Sequence, residues 1–238
     1  MFDFSDQVVV VTGAAGNLGQ AVMHAFLEAG ARLALVDHRA DRLHKLYPDL
    51  ADTPDHLLVQ GIDLTDASAV EAMAAKVVEH FGQIDVLVNA AGGYRAGTPV
   101  HETPVETWDY MLNLNARSAF LASRAVVPHM LERSSGKVIH VGARAALAGG
   151  KNAAAYSAAK AALVRLTESM AAELKSHGIN VNCVLPGTID TPENREAMPN
   201  ANFSRWVPPE AVADVILFLA SEAARAVHGA AVPVYGES

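Results

Sequence analysis

The sequence predicts a single α/β domain in which a seven-stranded parallel sheet is doubly wound, with helices on both faces. Two features lead to this prediction. Short β-branched runs alternate with alanine-rich amphipathic segments along all 238 residues, which is the pattern of successive βαβ units. Hydrophobic residues make up 51% of the chain and charged residues only 18%, so the elements must be apolar on more than one side, as buried parallel strands are.

The predicted elements follow one another from residue 1 to residue 238 without a linker or a repeat. The strands are expected near Val8–Val11, Arg32–Val36, Leu57–Gly61, Asp85–Asn89, Lys137–Val141, Ile179–Val184 and Ala230–Val234. The helices are expected near Leu18–Ala29, Asp41–Leu46, Ala67–Phe81, Val105–Leu131, Ala153–Lys175 and Pro209–Ser221. Residues 188–208, rich in Pro and Asn, are predicted to form a lid, because ligands of such sheets bind beyond the carboxyl ends of the strands.

Composition excludes several classes of function. The formal net charge of −8 disfavours nucleic-acid and membrane-surface partners, and a small-molecule substrate is expected instead. Cys183 is the only cysteine, so no intrachain disulfide can form, and the dispersed histidines predict no metal site. The N-terminus has no basic segment typical of a signal peptide, and the longest apolar helical run is too short to span a bilayer, so a cytoplasmic protein is expected.

A glycine-rich turn, 12-TGAAGNLG-19, follows the first strand and opens into a helix. Gly13 would permit the tight turn, Gly16 would let the backbone approach a pyrophosphate, and Gly19 would let the helix pack closely on the strand. An ordinary βα turn explains the glycines about as well. Asp37 favours the nucleotide, because it ends the second strand where a carboxylate can bind the adenosine ribose and repel a 2′-phosphate. NAD is therefore expected in preference to NADP.

Arg39 leaves the choice of cofactor open, since it could neutralise Asp37 or bind a phosphate. S-adenosylmethionine methyltransferases also combine a glycine turn with an acidic residue at the end of the next strand. These features therefore predict a nucleotide more firmly than they predict a reaction.

Tyr156 and Lys160 are four residues apart on a predicted helix, so they lie one turn from each other on the same face. An ammonium beside a phenol favours the phenolate, which predicts that the pKa of Tyr156 is lowered from about 10 toward the working pH. Such a phenol could donate a proton to a developing alkoxide or take one from an alcohol. An isolated YxxxK pair, however, is more often a surface pair.

The order of the motifs resembles the short-chain dehydrogenase/reductase family over essentially the whole chain. The similarity rests on the glycine turn, Asp37, 88-VNAAG-92, Asn115, 156-YSAAK-160 and 186-PGTIDT-191. It implies a Rossmann domain and an NAD(P)-dependent oxidoreductase that transfers hydride between a nicotinamide and a small organic substrate. It also implies a homodimer or homotetramer.

The resemblance assigns roles to individual residues. Tyr156 would be the acid/base, Lys160 would hold the nicotinamide ribose and tune Tyr156, and Asn115 would support a proton-relay water. Asp63 would contact adenine, and residues 186–191 would hold the carboxamide. The cofactor-binding residues expected on this basis are Gly13, Gly16, Asn17, Leu18, Asp37, Asp63, Leu64, Asn89, Ala90, Ala91, Gly92, Tyr156, Lys160, Pro186, Gly187, Ile189 and Thr191.

Two positions depart from the family pattern. Ala143 stands where the family has a serine that donates a hydrogen bond to the substrate oxygen, and loss of one such donor typically costs ~10²–10³ in rate. Asn17 stands at the penultimate glycine of TGxxxGxG. Both departures resemble the dihydropteridine reductase branch, as do 92-GGYRAG-97, 142-GARAAL-147 and 190-DTPENREAMPNANFSRW-206.

Resemblance to that branch implies that the substrate is a quinonoid dihydropterin reduced with NADH, with Tyr94 beside its flat ring. A quinonoid imine is already electron-poor, which would reconcile Ala143 with an active Tyr156. Two alternatives stay open at this point: an ordinary ketone or alcohol oxidoreductase of the same family, and an NAD-binding sensor that has lost catalysis.

Overall fold

The chain folds into one seven-stranded parallel sheet with helices on both faces, which confirms the fold class expected from the sequence. The computed structural model describes residues 2–51 and 53–237. The strand order is β3-β2-β1-β4-β5-β6-β7. The strands are β1 (Val8–Thr12), β2 (Arg32–Asp37), β3 (His56–Gln60), β4 (Val86–Asn89), β5 (Gly136–Val141), β6 (Ile179–Pro186) and β7 (Ala231–Val234).

The sheet separates two apolar cores, because successive side chains of a strand point to opposite faces. In β1, Val9 and Val11 pack in the core beneath the first and last helices of the chain. Val8 and Val10 pack in the core on the other face. This double burial explains why the strands are continuous apolar runs rather than alternating ones.

In the described part of the chain, eight α-helices connect and cover the strands. They are α1 (Asn17–Glu28), α2 (Arg42–Leu46), α3 (Ala67–Phe81), α4 (Val105–Leu112), α5 (Ser118–Arg133), α6 (Ala154–Leu174), α7 (Pro192–Ala197) and α8 (Pro209–Ala220). Short 3₁₀ turns cover Pro48–Leu50, Val100–Glu102, Arg144–Ala146, Lys175–His177, Phe203–Arg205 and Glu222–Ala224. Among the residues that the structure describes, no helix is both long enough and apolar enough to cross a membrane.

The predicted helix over Val105–Leu131 is helical throughout, but it contains a π-helical segment, Asn113–Arg117, between α4 and α5 that the sequence did not predict. Asn115 lies at its centre, and the side-chain amide of Asn115 donates to the Met111 carbonyl four residues earlier (3.1 Å). Such a side chain competes with the regular helical hydrogen bonds. Short π segments are frequent at functional sites, and this one faces the edge of the sheet where ligands bind.

Residues 188–208, the predicted lid, are more ordered than their composition suggests. The Thr191 hydroxyl caps α7 by accepting from the Asn194 N–H (3.2 Å). The base of the segment is closed by two backbone hydrogen bonds, from Asp190 N to Val207 O (2.8 Å) and from Val207 N to Thr188 O (2.9 Å). The segment is therefore a short helix on a fixed base.

Candidate active site

The glycine turn brings the end of β1 against the end of β4. Gly13 has a φ of 67°, and a Cβ on this residue would lie 2.8 Å from the Cα of Ala91. No side chain fits there. The Ala91 N–H also donates to the Thr12 hydroxyl (3.2 Å). The structure thus joins the glycine turn to the predicted 88-VNAAG-92 segment.

The N-terminus of α1 presents backbone N–H groups without a side-chain cap. Gly16 is the N-cap residue, and among the residues that the structure describes it provides no side-chain cap for the helix. Its backbone can receive an anion such as a pyrophosphate, because the N–H groups and the helix dipole both favour negative charge. Leu18, by contrast, is half-buried and packs against the core below. The turn therefore fits the phosphates of a dinucleotide through its backbone.

Asn17 has a contact that its sequence position did not predict. Its side-chain amide donates to the Glu193 carboxylate (2.6 Å), which lies in α7. The side chain therefore ties the glycine turn to residues 188–208. A backbone contact to a phosphate is the remaining role that Asn17 can play in cofactor binding.

Asp37 is buried at the end of β2, and its carboxylate accepts hydrogen bonds from Ala15 and from the backbone and guanidinium of Arg39. The Ala15 N–H donates to Oδ2 (3.2 Å), and the Arg39 N–H and Nε both donate to Oδ1 (3.0 Å). Burial by itself would raise the pKa of the Asp37 carboxyl, but the Arg39 hydrogen bonds and charge outweigh it and lower that pKa. Arg39 could have neutralised Asp37 or remained free to bind a phosphate, and in the structure it pairs with Asp37.

Asp63 and Leu64 lie next to Asp37 in space. The Ile62 N–H donates to the Asp37 carbonyl (3.3 Å), which brings the residues after β3 to the end of β2. Asp63 is exposed, and its Oδ1 accepts from the Thr65 N–H (2.8 Å) and hydroxyl (2.7 Å). Leu64 is buried in the core on the α3 side. The Asp63 side chain is thus held in place and accessible to a ligand, whereas the Leu64 side chain is buried and inaccessible.

Asn89 directs its side chain into the protein rather than along the carboxyl edge. The side-chain nitrogen lies 3.1 Å from His140 Nδ1 and 3.4 Å from the Ser123 hydroxyl. Any cofactor contact of this segment must therefore come from the backbone of Asn89 to Gly92. The side chain instead belongs to a buried polar group with His140.

His140 is a buried site neighbour that sequence reasoning missed. It is fully buried, and burial together with the nearby positive charge of Lys160 lowers the pKa of His140 to about 3. Its Nε2 is one of the buried side-chain atoms without a hydrogen-bond partner among the described residues. A polar residue within the apolar run 138-VIHV-141 was the available signal.

Asn115 fastens the π segment to the loop after β4. Its amide nitrogen donates to the Gly93 carbonyl (3.1 Å), and its Oδ1 accepts from the Gly93 N–H (3.2 Å). Gly92 lies against the same side chain, because a Cβ there would meet Asn115 Oδ1 at 2.9 Å. Asn115 therefore positions residues 92 and 93, and its role with a water molecule stays a prediction.

Tyr156 and Lys160 lie on the first two turns of α6, as predicted. The Lys160 Nζ is 5.9 Å from the centre of the Tyr156 ring and donates to the Val141 carbonyl (2.8 Å). Lys160 is buried, and this burial lowers its pKa from 10.5 to about 8. The structure brings the two side chains together at the end of β5.

The prediction that Lys160 lowers the pKa of Tyr156 is wrong for this structure. Burial, and to a smaller extent the neighbouring Tyr94, raise the pKa of Tyr156 to about 12. Removal of the phenol from water opposes ionisation more strongly than an ammonium engaged with a backbone carbonyl supports it. At neutral pH, Tyr156 is consequently a protonated phenol and a proton donor.

Ala143 is buried beside this pair and has no hydroxyl to offer a substrate. The nearby Ser157 does not replace it, since Ser157 is buried and its hydroxyl accepts from the Gly150 N–H (3.4 Å). Neither Ala143 nor Ser157 therefore supplies the hydrogen-bond donor that the family serine would provide to a substrate oxygen.

The 186–191 segment runs from the end of β6 into α7. Pro186 ends the strand, and the Gly187 N–H donates to the Val234 carbonyl (2.9 Å). The Ile189 carbonyl accepts from the Asn194 side chain (2.8 Å). Thr191 is committed to capping α7. These contacts hold the segment beside the glycine turn, consistent with the Asn17–Glu193 contact.

A cavity of about 460 Å³ opens beside Tyr156, between residues 94–107 and residues 152–155. We refer to it as the Arg95 cavity. Tyr94 lines it and meets the Tyr156 ring edge-on, with 4.8 Å between the ring centres. The described residues contain no cluster of side chains suited to a metal ion. The arrangement is a proton donor and a buried lysine beside an organic-sized cavity, near a glycine turn that fits a dinucleotide.

Known proteins agree with this arrangement. The chain matches the model of the short chain dehydrogenase family over residues 7–202. It is 35% identical to 2-(R)-hydroxypropyl-CoM dehydrogenase of Xanthobacter autotrophicus, covering 97% of each chain. It is 34% identical to cis-4-hydroxycyclohexanecarboxylate dehydrogenase of Sinomonas cyclohexanicum, covering 98% of this chain and 96% of the relative.

Solved structures show the same relationship. The crystal structure of gox2181 superposes with a TM-score of 0.92 at 31% identity, covering 98% of this chain and 96% of the other. The match of sequence motifs, fold and site geometry leads to one conclusion. The chain belongs to the short-chain dehydrogenase family and is an NAD(P)-dependent oxidoreductase.

Proposed function

We propose that this protein is an NAD(H)-dependent alcohol dehydrogenase or ketone reductase in which Tyr156 transfers the proton. The observation that carries the proposal is the pairing of a half-buried, protonated Tyr156 with the buried Lys160 beside the Arg95 cavity. The alcohol dehydrogenases among its relatives support the same reaction class.

NADH is the proposed cofactor. Gly13 and Gly16 would receive the pyrophosphate, and Asp37 would accept hydrogen bonds from the adenosine ribose. A 2′-phosphate would meet the Asp37 carboxylate, whose pKa is lowered and which is therefore ionised at neutral pH. Bound NADH supplies the hydride for the reduction, and the protein supplies the proton.

The proton would come from the Tyr156 hydroxyl as negative charge grows on the substrate oxygen. The pKa of about 12 keeps this proton on the phenol at neutral pH until the developing alkoxide, a stronger base, takes it. The Lys160 ammonium, one turn away, would stabilise the tyrosinate that remains. Asn115 would act as a positioning residue by holding Gly92 and Gly93, of which Gly92 lies next to the Lys160 ammonium.

A quinonoid dihydropterin is the second candidate substrate. Ala143 favours it, since an electron-poor imine needs no serine to polarise it. Exposed Tyr94 also favours it, because this ring lies beside Tyr156 and could contact a flat substrate. A sensor without catalysis is less well supported, because it would not require a buried lysine next to a protonated tyrosine.

A substrate panel followed by NADH oxidation tests the proposal. We expect turnover of ketones and at least a 100-fold loss in Tyr156→Phe, roughly what loss of a general acid causes, with NADH affinity within a few-fold of wild type. Unchanged turnover in Tyr156→Phe would refute the assigned role. Turnover of quinonoid dihydropterin without ketone reduction would favour the second candidate.

Ala143→Ser separates the two substrates further. A restored donor should raise the rate for a carbonyl by roughly tenfold or more, since such donors contribute up to 10²–10³. It should change little for a quinonoid imine. Ser157→Ala is the matched control, because that hydroxyl is engaged with Gly150 and should not affect either rate.

We also propose that the protein forms a homodimer or homotetramer through α4 and α5. These helices expose Trp108, Phe120 and Leu131, of which Phe120 is 48% exposed. Light scattering should give a mass of two or four chains, and Phe120→Asp should lower it. A single-chain mass for the wild-type protein would contradict this assembly.

A further inference from the structure

The Arg95 cavity differs from the rest of the molecule in its charge. The chain as a whole carries a formal charge of −8, yet among the described residues that line this cavity Arg95 is the one charged side chain. The surface that a substrate would meet next to Tyr156 is therefore locally positive.

Arg95 is exposed and stacks on an aromatic ring without being neutralised. Its guanidinium lies over the ring of Tyr110, with Cζ 4.1 Å from the ring centre. The structure gives it no carboxylate partner among the described residues. A guanidinium stacked on a ring keeps its N–H edges free, and its planar fork fits a carboxylate.

The two walls of the cavity have different chemistry. Ala153, Ala154 and Ala155 form an apolar wall at the start of α6, next to Tyr156. Arg95 lies on the other wall, together with the threonines at positions 98, 103 and 107. Such a cavity suits a molecule with a hydrocarbon body and one anionic group.

The loop that carries Arg95 is tied to α6. The Gly97 N–H donates to the Asn152 carbonyl (2.9 Å), which joins the two walls. Further along, the Thr103 hydroxyl donates to the Pro99 carbonyl (2.9 Å). These bonds hold Arg95 at a set position relative to Tyr156, as a specificity-determining side chain requires.

We propose that Arg95 selects substrates that carry a carboxylate, so that the enzyme acts on hydroxy acids and their keto acids. This inference rests on the proposed function and names its substrate class. The relative that oxidises cis-4-hydroxycyclohexanecarboxylate acts on a compound of this class. The carboxylate binds Arg95, the hydrocarbon body lies on the alanine wall, and the carbonyl faces Tyr156.

Steady-state kinetics with 4-oxocyclohexanecarboxylate and its neutral methyl ester test the proposal. Arg95→Gln should raise KM for the keto acid roughly 10- to 100-fold, the loss expected for one charge-assisted hydrogen-bonded pair, with kcat nearly unchanged. KM for the ester should stay as in the wild type. Arg95→Lys should recover part of the loss, and Arg165→Gln, an exposed arginine paired with Glu168, should change nothing.

Calorimetric titration with cyclohexanecarboxylate and cyclohexanecarboxamide makes the test independent of turnover. The acid should bind more tightly than the amide, and only the acid should lose affinity in Arg95→Gln. If neither ketone is reduced but this Arg95-dependent binding is present, the carboxylate site stands and the proposed reaction falls. Equal KM values for acid and ester, or equal affinities for acid and amide, overturn the inference.

Discussion

Asp37 and Lys160 are both buried charged side chains at the carboxyl edge of the sheet, but they differ in how their charges are supported. Asp37 has the Arg39 guanidinium and two backbone N–H groups. Lys160 donates to one backbone carbonyl, and among the described residues it has no acidic partner. The carboxylate is stabilised in its charged form, whereas the ammonium is destabilised, as the pKa of about 8 indicates.

Burial therefore costs stability at Lys160 but not at Asp37. A charge that only has to be present, such as the proposed ribose acceptor Asp37, can be fully satisfied within the protein. A charge that has to respond to a reacting neighbour is left with free donors and a perturbed pKa. The cost is considerable, because lowering the pKa of Lys160 from 10.5 to about 8 corresponds to about 3 kcal/mol.

Lys160→Met removes the unsupported charge and should have the largest effect. We expect turnover to fall at least roughly 100-fold, comparable to the loss of another electrostatic contributor. As the pH rises from 8 to 10.5, the free energy of unfolding of the wild type should increase by up to about 3 kcal/mol relative to that of the variant.

The sign of this change follows from the direction of the pKa shift. Below pH 8 both folded and unfolded chains carry the Lys160 proton, so the full cost of the buried charge is present. Between pH 8 and 10.5 the folded protein releases it while the unfolded chain retains it, which favours the folded state. Denaturant titrations at pH 7, 8, 9 and 10 measure the difference, and a constant gap between variant and wild type would contradict it.

Asp37→Ser removes the supported carboxylate and leaves the Arg39 guanidinium without its partner. The ratio of kcat/KM for NADPH to that for NADH should rise by roughly 10- to 100-fold, because one repulsive charge is removed and a guanidinium becomes available for the 2′-phosphate. The double variant Asp37→Ser with Arg39→Gln is the control and should gain less. A ratio unchanged in both variants would show that this carboxylate does not select the cofactor.

His140→Asn should have the smallest effect, and it tests a buried histidine whose pKa is lowered mainly by burial and further by the Lys160 charge. In the unfolded wild-type chain, His140 binds a proton below about pH 6.5, whereas in the folded protein it stays neutral until about pH 3. Stability should therefore fall by about 1.4 kcal/mol per pH unit in this window, or about 2 kcal/mol by pH 5. Between pH 6.5 and 5, the free energy of unfolding of His140→Asn should fall less than that of the wild type, as measured by denaturant titration. His177→Asn, at an exposed histidine, is the control and should follow the wild type.

Much of the fold and part of the site can be predicted from the sequence, because the patterns that indicate them lie within short segments of the chain. Apolar periodicity predicts the strands and helices, since a period of two or of 3.6 decides which side chains are buried. Gly13 is required where a turn leaves no room for a Cβ. Tyr156 and Lys160 meet because a helix brings together residues four apart.

The missed features depend on contacts between distant parts of the chain. The π-helical segment around Asn115 lies where the Asn115 side chain binds the backbone of Gly93, more than twenty residues earlier in the chain. His140 became a site neighbour only through Asn89 and Lys160, which come from other elements. In the sequence Arg95 is an ordinary loop arginine, and only the fold places it over the Tyr110 ring and in the lining of a cavity with the start of α6.

The sheet, the glycine turn and the tyrosine–lysine pair thus follow from the sequence alone, since each depends on neighbouring residues or on a short period. The protonation of Tyr156, the pairing of Arg39 with Asp37 and the charge of the Arg95 cavity depend instead on the folded arrangement. Burial and electrostatic environment are sums over all surrounding atoms, and most of those atoms belong to segments far away along the chain.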